Sequence, residues 1–428
     1  PKGFPGGKLM LRAETGGETL LFVNGKTMGV FDGNHPVLLA KLDAKAGQKL
    51  HIALEAYSGH SFPGTQPHED PTVVGDRCKT FGGVQLISER EDVTAFVFDL
   101  RTLRSLMNAL DDNSLRKGKI IAGLARVYET VDSMPGETSE ESWRPKLAAA
   151  REIMAPLLQA RNGSTAPYIG LIGHSHIDTA WLWTVAETWR KCARTFSSML
   201  NLMEQYPEVI FLQPAPCHAE AMRELYPELY SRMQQMAKTG RWEPNGAMYV
   251  EPDCNIPSGE AFVRQLLVGQ GASRRMFGYT GDTLWLPDVF GYSAALPQIL
   301  KSCGVDFFCT TKMSWNDTTR FPFDTFTWRG LDGSSVIAHL NVHNMHLTPE
   351  SMADTWNFLQ HKDLEDRRFC CYGYGDGGGG ATIEMLEVAR RMADLEGCPR
   401  TSQVTLTEFM RGIERDMPSL PVWVGELY

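Results

Sequence analysis

Up to about residue 95 the apolar positions come in short alternating runs parted by Gly, Asn and Pro. Thr19-Leu20-Leu21-Phe22-Val23 leads into Asn24-Gly25, the dipeptide of a type I′ hairpin. His51-Ile52-Ala53-Leu54 alternates as a half-buried strand does. This predicts a β-sandwich module over residues 1–95. From about 96 the period lengthens. Leu103, Leu106 and Leu110, then Ile120, Leu124 and Val127, recur at helical spacing, so 96–164 reads as a helical linker. A loop interrupts it at Met134-Pro135-Gly136-Glu137-Thr138-Ser139, and Arg161-Asn162-Gly163-Ser164-Thr165 marks a boundary.

From 165 to 428 strand and helix signals alternate. Strands are predicted at 167–173, 209–212, 284–286, 307–310 and 369–372. Helices are predicted at about 183–205, 218–240, 259–276, 297–302 and 383–395. The alternation argues for an α/β segment with a mainly parallel sheet. Composition narrows the partners. The formal charge of −9 argues against nucleic acid or an anionic membrane and favours a neutral or cationic small molecule. No apolar run approaches the roughly 20 residues that span a bilayer. Pro1-Lys2-Gly3-Phe4-Pro5 has no signal-peptide h-region and reads as an internal cut. Nine cysteines, an odd number with no CxxC pair, read as free thiols of a reducing, cytoplasmic compartment, with Cys370-Cys371 as core packing.

The chemistry concentrates where strands end. His174, His176 and Asp178 alternate straight after an apolar run, and alternate side chains of a strand share a face. Imidazole plus carboxylate suits a divalent metal; the alternative is a pair of hydrogen-bonded histidines at a strand end. Two more predicted strands lead to an aspartate, Asp288 and Asp376, at the edge where parallel sheets bind ligands. Each alone also fits a turn; together with the histidines they suffice for a metal site and an acid/nucleophile pair. Asp288 precedes a Gly turn read as entering a helix, whose N-terminus would keep it ionised; the alternative is an N-cap. Glu251-Pro252-Asp253 is an acidic loop for hydroxyl recognition or helix capping, and Trp315-Asn316-Asp317 with Arg320 is a polar-aromatic loop consistent with sugar binding. His339, His343 and His346 lie near a strand end. Gly377–Gly380 lacks the Lys-Ser/Thr of a phosphate loop.

Five motifs in order carry a resemblance. They are His174-Ser175-His176-Ile177-Asp178-Thr179-Ala180-Trp181, Tyr249-Val250-Glu251-Pro252-Asp253, Leu286-Pro287-Asp288-Val289-Phe290-Gly291-Tyr292, Lys312-Met313-Ser314-Trp315-Asn316-Asp317 and Tyr372-Gly373-Tyr374-Gly375-Asp376 with the glycines after it. Together they resemble the catalytic domain of glycoside hydrolase family 38, the zinc-dependent retaining α-mannosidases, in its cytosolic and bacterial class II branch. The segment Ala56 to Gly64 resembles that branch's β-domain. The resemblance implies an irregular seven-stranded β/α barrel and hydrolysis of terminal α-linked mannose from oligosaccharides. It implies zinc, or cobalt or another divalent ion, on His176, Asp178 and Asp288. It makes Asp288 the nucleophile and Asp376 the acid/base, with Trp181 against the sugar and Lys312 where other branches carry an arginine; Asp253 and Trp315 are further substrate candidates. The family's fourth ligand is a histidine just downstream of a segment like Gly425-Glu426-Leu427-Tyr428, so weak metal retention is expected unless His174 or a histidine of 339–346 substitutes. Association into a homo-oligomer through other domains is also expected. The competing readings are a metal-dependent polysaccharide deacetylase and a catalytically weak mannose-binding fragment.

Overall fold

The structure, a computed structural model, describes residues 6–57, 80–133 and 136–428. Residues 1–5, Cys78, most of the segment from Ala56 to Gly64, and Met134-Pro135 lie outside the described residues. The chain opens with six strands: β1 Gly7–Glu14, β2 Thr19–Val23, β3 Lys26–Phe31, β4 Val37–Ala44, β5 Ile52–Ala56 and β6 Gly83–Ser88. They form two three-stranded sheets, in the orders β4-β1-β6 and β3-β2-β5. The two share one apolar core that includes Leu9, Leu11, Leu21, Met28, Phe31 and Leu38. The hairpin between β2 and β3 turns on Asn24 (φ +52°) and Gly25 (φ +81°), the paired positive φ values of a type I′ turn.

Three amphipathic helices follow, α1 Glu91–Ala109, α2 Leu115–Val131 and α3 Glu140–Gln159. Their inward stripes bury Leu103, Leu106, Ile120, Val127, Leu147 and Met154. Asp99 of α1 ties them to a later helix: it receives Arg151 of α3 and Arg391, each at 2.7 Å.

The remainder is mixed α/β with parallel sheets. Its elements are β7 Tyr168–His174, α4 Val185–Gln205, β8 Phe211–Leu212, α5 Pro216–Leu225, α6 Pro227–Lys238, β9 Trp242–Glu243, α7 Gly259–Phe277, β10 Thr283–Trp285, α8 Leu296–Ser302, β11 Phe307–Thr310, β12 Thr325–Arg329, β13 Ser335–Leu340, β14 Val342–Asn344, α9 Pro349–Asn357, β15 Arg367–Tyr372, α10 Ile383–Met392, β16 Arg400–Gln403, α11 Leu406–Asp416 and β17 Val422–Val424. One sheet runs β14-β15-β7-β8-β9 with β16 also on β7, every pairing parallel. The other runs β10-β11-β13-β12-β17; β12 is antiparallel to β13, and the other pairs are parallel.

The helix predicted over 218–240 is two helices. Pro227 has no N–H to donate and forces the preceding residue out of the helical region, and Tyr226 sits at φ −136°, ψ 65°. The strand predicted over 209–212 shrinks to Phe211–Leu212.

Helix α4 is buried along almost its whole length and carries the N-terminal sheets. Ser198 Oγ accepts from Val30 N at 2.9 Å, and Asn201 Nδ2 donates to Met28 O at 2.8 Å and Leu39 O at 2.9 Å. Buried polar groups matched this way fix one docking geometry, because losing a partner leaves a desolvated atom at a cost of about 1–3 kcal/mol. No described helix is long and apolar enough to cross a membrane. The described cysteines are free thiols, and Cys370 and Cys371 are core residues.

Candidate active site and metal centre

Strands β7 and β15 are parallel neighbours, in register up to Gly173 opposite Tyr372. The loops leaving their carboxyl ends therefore emerge side by side. Two hydrogen bonds lace them: Ser175 Oγ to Tyr374 O at 2.9 Å and Gly377 N to His176 O at 3.1 Å. Strand β10 delivers Leu286-Pro287-Asp288 from the other sheet, and His174 joins the two sheets. Its Nδ1 lies 3.0 Å from Leu212 O, and its Nε2 accepts from Trp285 Nε1 at 3.3 Å. Both nitrogens are engaged, and burial pushes the pKa down to about 3. His174 is thus a structural cross-link and not a ligand. The alternation that grouped it with His176 and Asp178 stops at His174, where β7 ends.

His176, Asp178 and Asp288 do come together. One ligand atom of each lies within 4.8 Å of the others. His176 Nε2 is 3.4 Å from Asp178 Oδ1 and 3.3 Å from Asp288 Oδ2, yet it is buried and makes no aligned hydrogen bond. Behind the ring, Nδ1 lies 3.2 Å from Glu251 Oε2. The other oxygen of Asp288, Oδ1, is ion-paired with Lys312 Nζ. Burial alone would lower the His176 pKa, but Glu251 and Asp178 overcome it and raise it well above the ordinary value.

Once the imidazole gives up its proton to ligate, three carboxylates facing one ammonium leave two negative charges unmatched, which suits a divalent cation. The donor set, one nitrogen and two carboxylate oxygens, is a normal one for zinc. A carboxylate behind the ligating imidazole is the usual outer support. No further described His, Cys, Asp or Glu joins this group. His339 is spent on Thr325 Oγ1 (2.7 Å) and Phe369 N (3.2 Å). His343 lines the cavity with Nε2 on Gly373 O at 2.7 Å, its pKa lowered by burial. Exposed His346 meets the edge of Tyr374.

Asp288 does not enter a helix as expected: the next helix, α8, begins only at Leu296. Lys312 supplies the positive charge instead. Its ammonium also lies 3.4 Å from the Trp315 ring centre and 4.5 Å from that of Phe290. The chain's last residues run beside this loop, with Leu427 and Tyr292 exchanging backbone hydrogen bonds at 2.7 and 3.0 Å.

Asp376 is a non-glycine residue at φ +51°, an uncommon conformation. Its pKa is raised, first by burial and then by Asp178 and Asp288, against the opposing His176 and Lys312 charges. Asp376 and Gly377 are the central pair of a tight turn, closed by Gly378 N on Gly375 O at 2.8 Å within a Tyr374–Gly380 bridge, and the turn is also packed closely from outside. A Cβ at Gly377 would lie 2.5 Å from Lys191 Cδ, and one at Gly379 would lie 2.7 Å from His35 Cε1.

His176, Asp178, Asp288 and Asp376 line one cavity of about 2110 Å³, together with Trp181, Lys312 and Trp315. That exceeds the roughly 300–1,000 Å³ typical of small-molecule sites. Trp181 (48 % exposed) and Trp315 (67 %) offer open aromatic surface there. Asp253 is elsewhere engaged: its Oδ1 accepts from Asn255 N and Ile256 N, both at 2.8 Å, closing a local turn. The acidic loop instead reaches the site through Glu251. Sequence reasoning also missed His218, fully desolvated with its pKa pushed down to about 3. Its Nε2 is 2.9 Å from Thr179 Oγ1, next to Asp178. Neither residue carries a local signal of its partner.

Residues 167–426 match the family model described as glycosyl hydrolases family 38 N-terminal domain. Among curated proteins, the chain is 37 % identical over 340 residues to alpha-mannosidase 2C1 of Mus musculus, covering 79 % of this chain and 32 % of that one. It is 40 % identical over 273 residues to alpha-mannosidase G of Dictyostelium discoideum, covering 62 % and 25 %. The chain thus spans about a third or less of the length of these relatives. Among solved structures, an alpha-mannosidase from Enterococcus faecalis V583 aligns with a TM-score of 0.51 at 17 % identity, over 61 % of this chain and 31 % of that chain. At that identity the likeness speaks for the fold alone.

Proposed function

The chain belongs to glycosyl hydrolase family 38, and from that premise we propose that it is the catalytic portion of a zinc-dependent, retaining α-mannosidase acting on terminal mannose of oligosaccharides. One observation carries the reading. Asp288 turns one oxygen toward His176 and Asp178 and the other toward Lys312, on the wall of a large cavity that also holds Asp376. We take residues 165–428 as the catalytic unit, its two sheets as parts of an irregular barrel, residues 1–95 as a sandwich module and 96–164 as the linker. The free thiols support a reducing, cytoplasmic setting.

In this reading His176, Asp178 and Asp288 hold the ion, with Glu251 fixing the imidazole. Bound zinc would supply Lewis-acid charge to sugar hydroxyls and help orient the ring. The chain's own residues do the bond chemistry. Asp288 attacks the anomeric carbon while Asp376, whose raised pKa favours the acid form, protonates the departing oxygen. Asp376, now a carboxylate, takes a proton from the water that cleaves the mannosyl–Asp288 ester, and both carboxyls return to their starting states. Lys312 offsets the charge on Asp288, and Trp181 and Trp315 offer apolar faces to sugar rings.

The test is kcat/KM on an aryl α-mannoside with zinc or cobalt added or chelated, for the wild type and Asp288→Asn. Metal-dependent turnover that falls at least about 10³-fold in the variant, with circular dichroism unchanged, is the expected result. Turnover by Asp288→Asn near the wild-type rate would refute the mechanism.

A further inference from the structure

We propose, resting on the reading of Asp376 as proton donor, that the Asp32–His35 turn of the N-terminal β module positions the Asp376 loop, with His35 as the positioning residue. Asp376 and Gly377, Gly379 and Gly380 after it all have positive φ. Glycines lose more freedom on ordering than any other residue and bring no side chain to anchor themselves. The loop closes on itself, Gly378 N to Gly375 O at 2.8 Å and Tyr374 N to Gly380 O at 2.9 Å, but its placement against the site is set by what it leans on.

One side of that support is the turn after β3. His35 is 6 % exposed, and its Nε2 lies 3.0 Å from Ala381 O, at the foot of the glycine run. Its Nδ1 lies 3.0 Å from Asp32 Oδ1, which also accepts from Asn34 N at 2.8 Å and His35 N at 2.7 Å. The carboxylate thus locks both the turn and the ring. Asn34 Nδ2 donates to Gly378 O at 3.3 Å. The His35 ring occupies the space a side chain at 379 would need.

The other side also traces to the module. Glu18 holds Lys191 Nζ at 2.7 and 3.0 Å, and the Lys191 stem fills the space against Gly377. Both contacts fall within three residues after the same aspartate. A proton donor displaced by 1 Å can cost about 10²-fold in rate, so the module's grip should matter most when the leaving oxygen must be protonated.

The test compares kcat/KM of the 428-residue chain on a mannobiose, whose leaving group needs a proton, and on dinitrophenyl α-mannoside, whose leaving group does not. His35→Ala is expected to lose about 10²-fold on the disaccharide and to stay within about threefold on the dinitrophenyl substrate. His35→Gln, which keeps an N–H for Ala381 O, should recover most of that loss. Asn34→Ala, at a less buried position, should shift the ratio in the same sense and serves if His35→Ala fails to fold. Equal losses on both substrates, or none on either, would overturn the proposal. Asp376→Ala is the reference: if it leaves the substrate ratio unchanged, the proton-donor reading fails and the positioning role falls with it. A shifted ratio in Asp376→Ala with none in the His35 and Asn34 variants refutes the positioning role alone.

Discussion

Replacing Glu251 by Gln is expected to weaken divalent-metal binding, and by an amount that depends on pH in a definite direction. The substitution keeps the size of the side chain and removes the charge 3.2 Å from His176 Nδ1. Between full unit charges at that distance, with an effective dielectric of about 20, the gross attraction is about 5 kcal/mol. That figure belongs to the metal-free state with His176 protonated, the form that its raised pKa favours. With an ion on Nε2 the imidazole is neutral, and losing the supporting carboxylate costs about 10–100-fold in affinity, or about 1.4–2.7 kcal/mol.

The two states respond oppositely to the same substitution. The wild-type His176 pKa stands well above the ordinary value, with Glu251 the largest of the charges raising it. Below that pKa the wild type must expel a proton to bind metal and loses about tenfold in affinity per pH unit. Glu251→Gln lowers the His176 pKa and escapes this competition until a lower pH. The variant's deficit should therefore be widest at alkaline pH and narrow as the solution is acidified. Zinc or cobalt titrations against a chromophoric chelator, run from pH 6.5 to 8.5 with circular dichroism as a fold check, measure it directly. His176→Ala should lose the site altogether. Equal affinities of wild type and Glu251→Gln at the alkaline end, or a deficit that grows on acidification, would refute the assignment of Glu251 as support for a ligating His176.

Two further outcomes follow from charges placed elsewhere. Lys312→Met removes the ammonium beside Asp288; mannosidase kcat/KM should fall about 10–100-fold, while zinc affinity in the chelator titration rises, and a fall in both would show that Lys312 supports the metal site and does not offset it. Glu365 is buried against Thr325 Oγ1, and desolvation pushes its pKa up to about 7. Its contribution to stability is fully present below about pH 4.5 and is lost as pH rises through about 7, a loss of roughly 3 kcal/mol. Glu365→Gln should therefore gain thermal midpoint over the wild type at pH 8 relative to pH 5, and a gap that ignores pH would exclude this carboxyl as the cause.

What could be read from the chain before its structure divides by how far each cause reaches. The Asn24-Gly25 turn was legible because the requirement for two positive φ angles is local to the dipeptide. Much of the strand–helix alternation was legible because apolar period is a local property too, although Pro227 broke a helix that periodicity alone ran through. His176, Asp178 and Asp288 could be singled out because parallel strands gather their following loops at one edge. His174 could not be told from them by spacing, since its role depends on Trp285 and Leu212, which belong to other strands.

The same limit explains the pairings that spacing alone could not give. Glu251, which sits behind His176, lies 75 positions later in the chain. Lys312 replaces the expected helix terminus at Asp288 from a short helix that follows another strand. In the glycine run, the turn that the sequence suggests and a place on the cavity wall coexist. What the sequence could not show is the packing of Lys191 at 377 and of His35 at 379, the latter from the opposite end of the chain. A glycine required by its own φ announces itself in a local pattern. One required by a distant ring does so only once the two segments have been brought together.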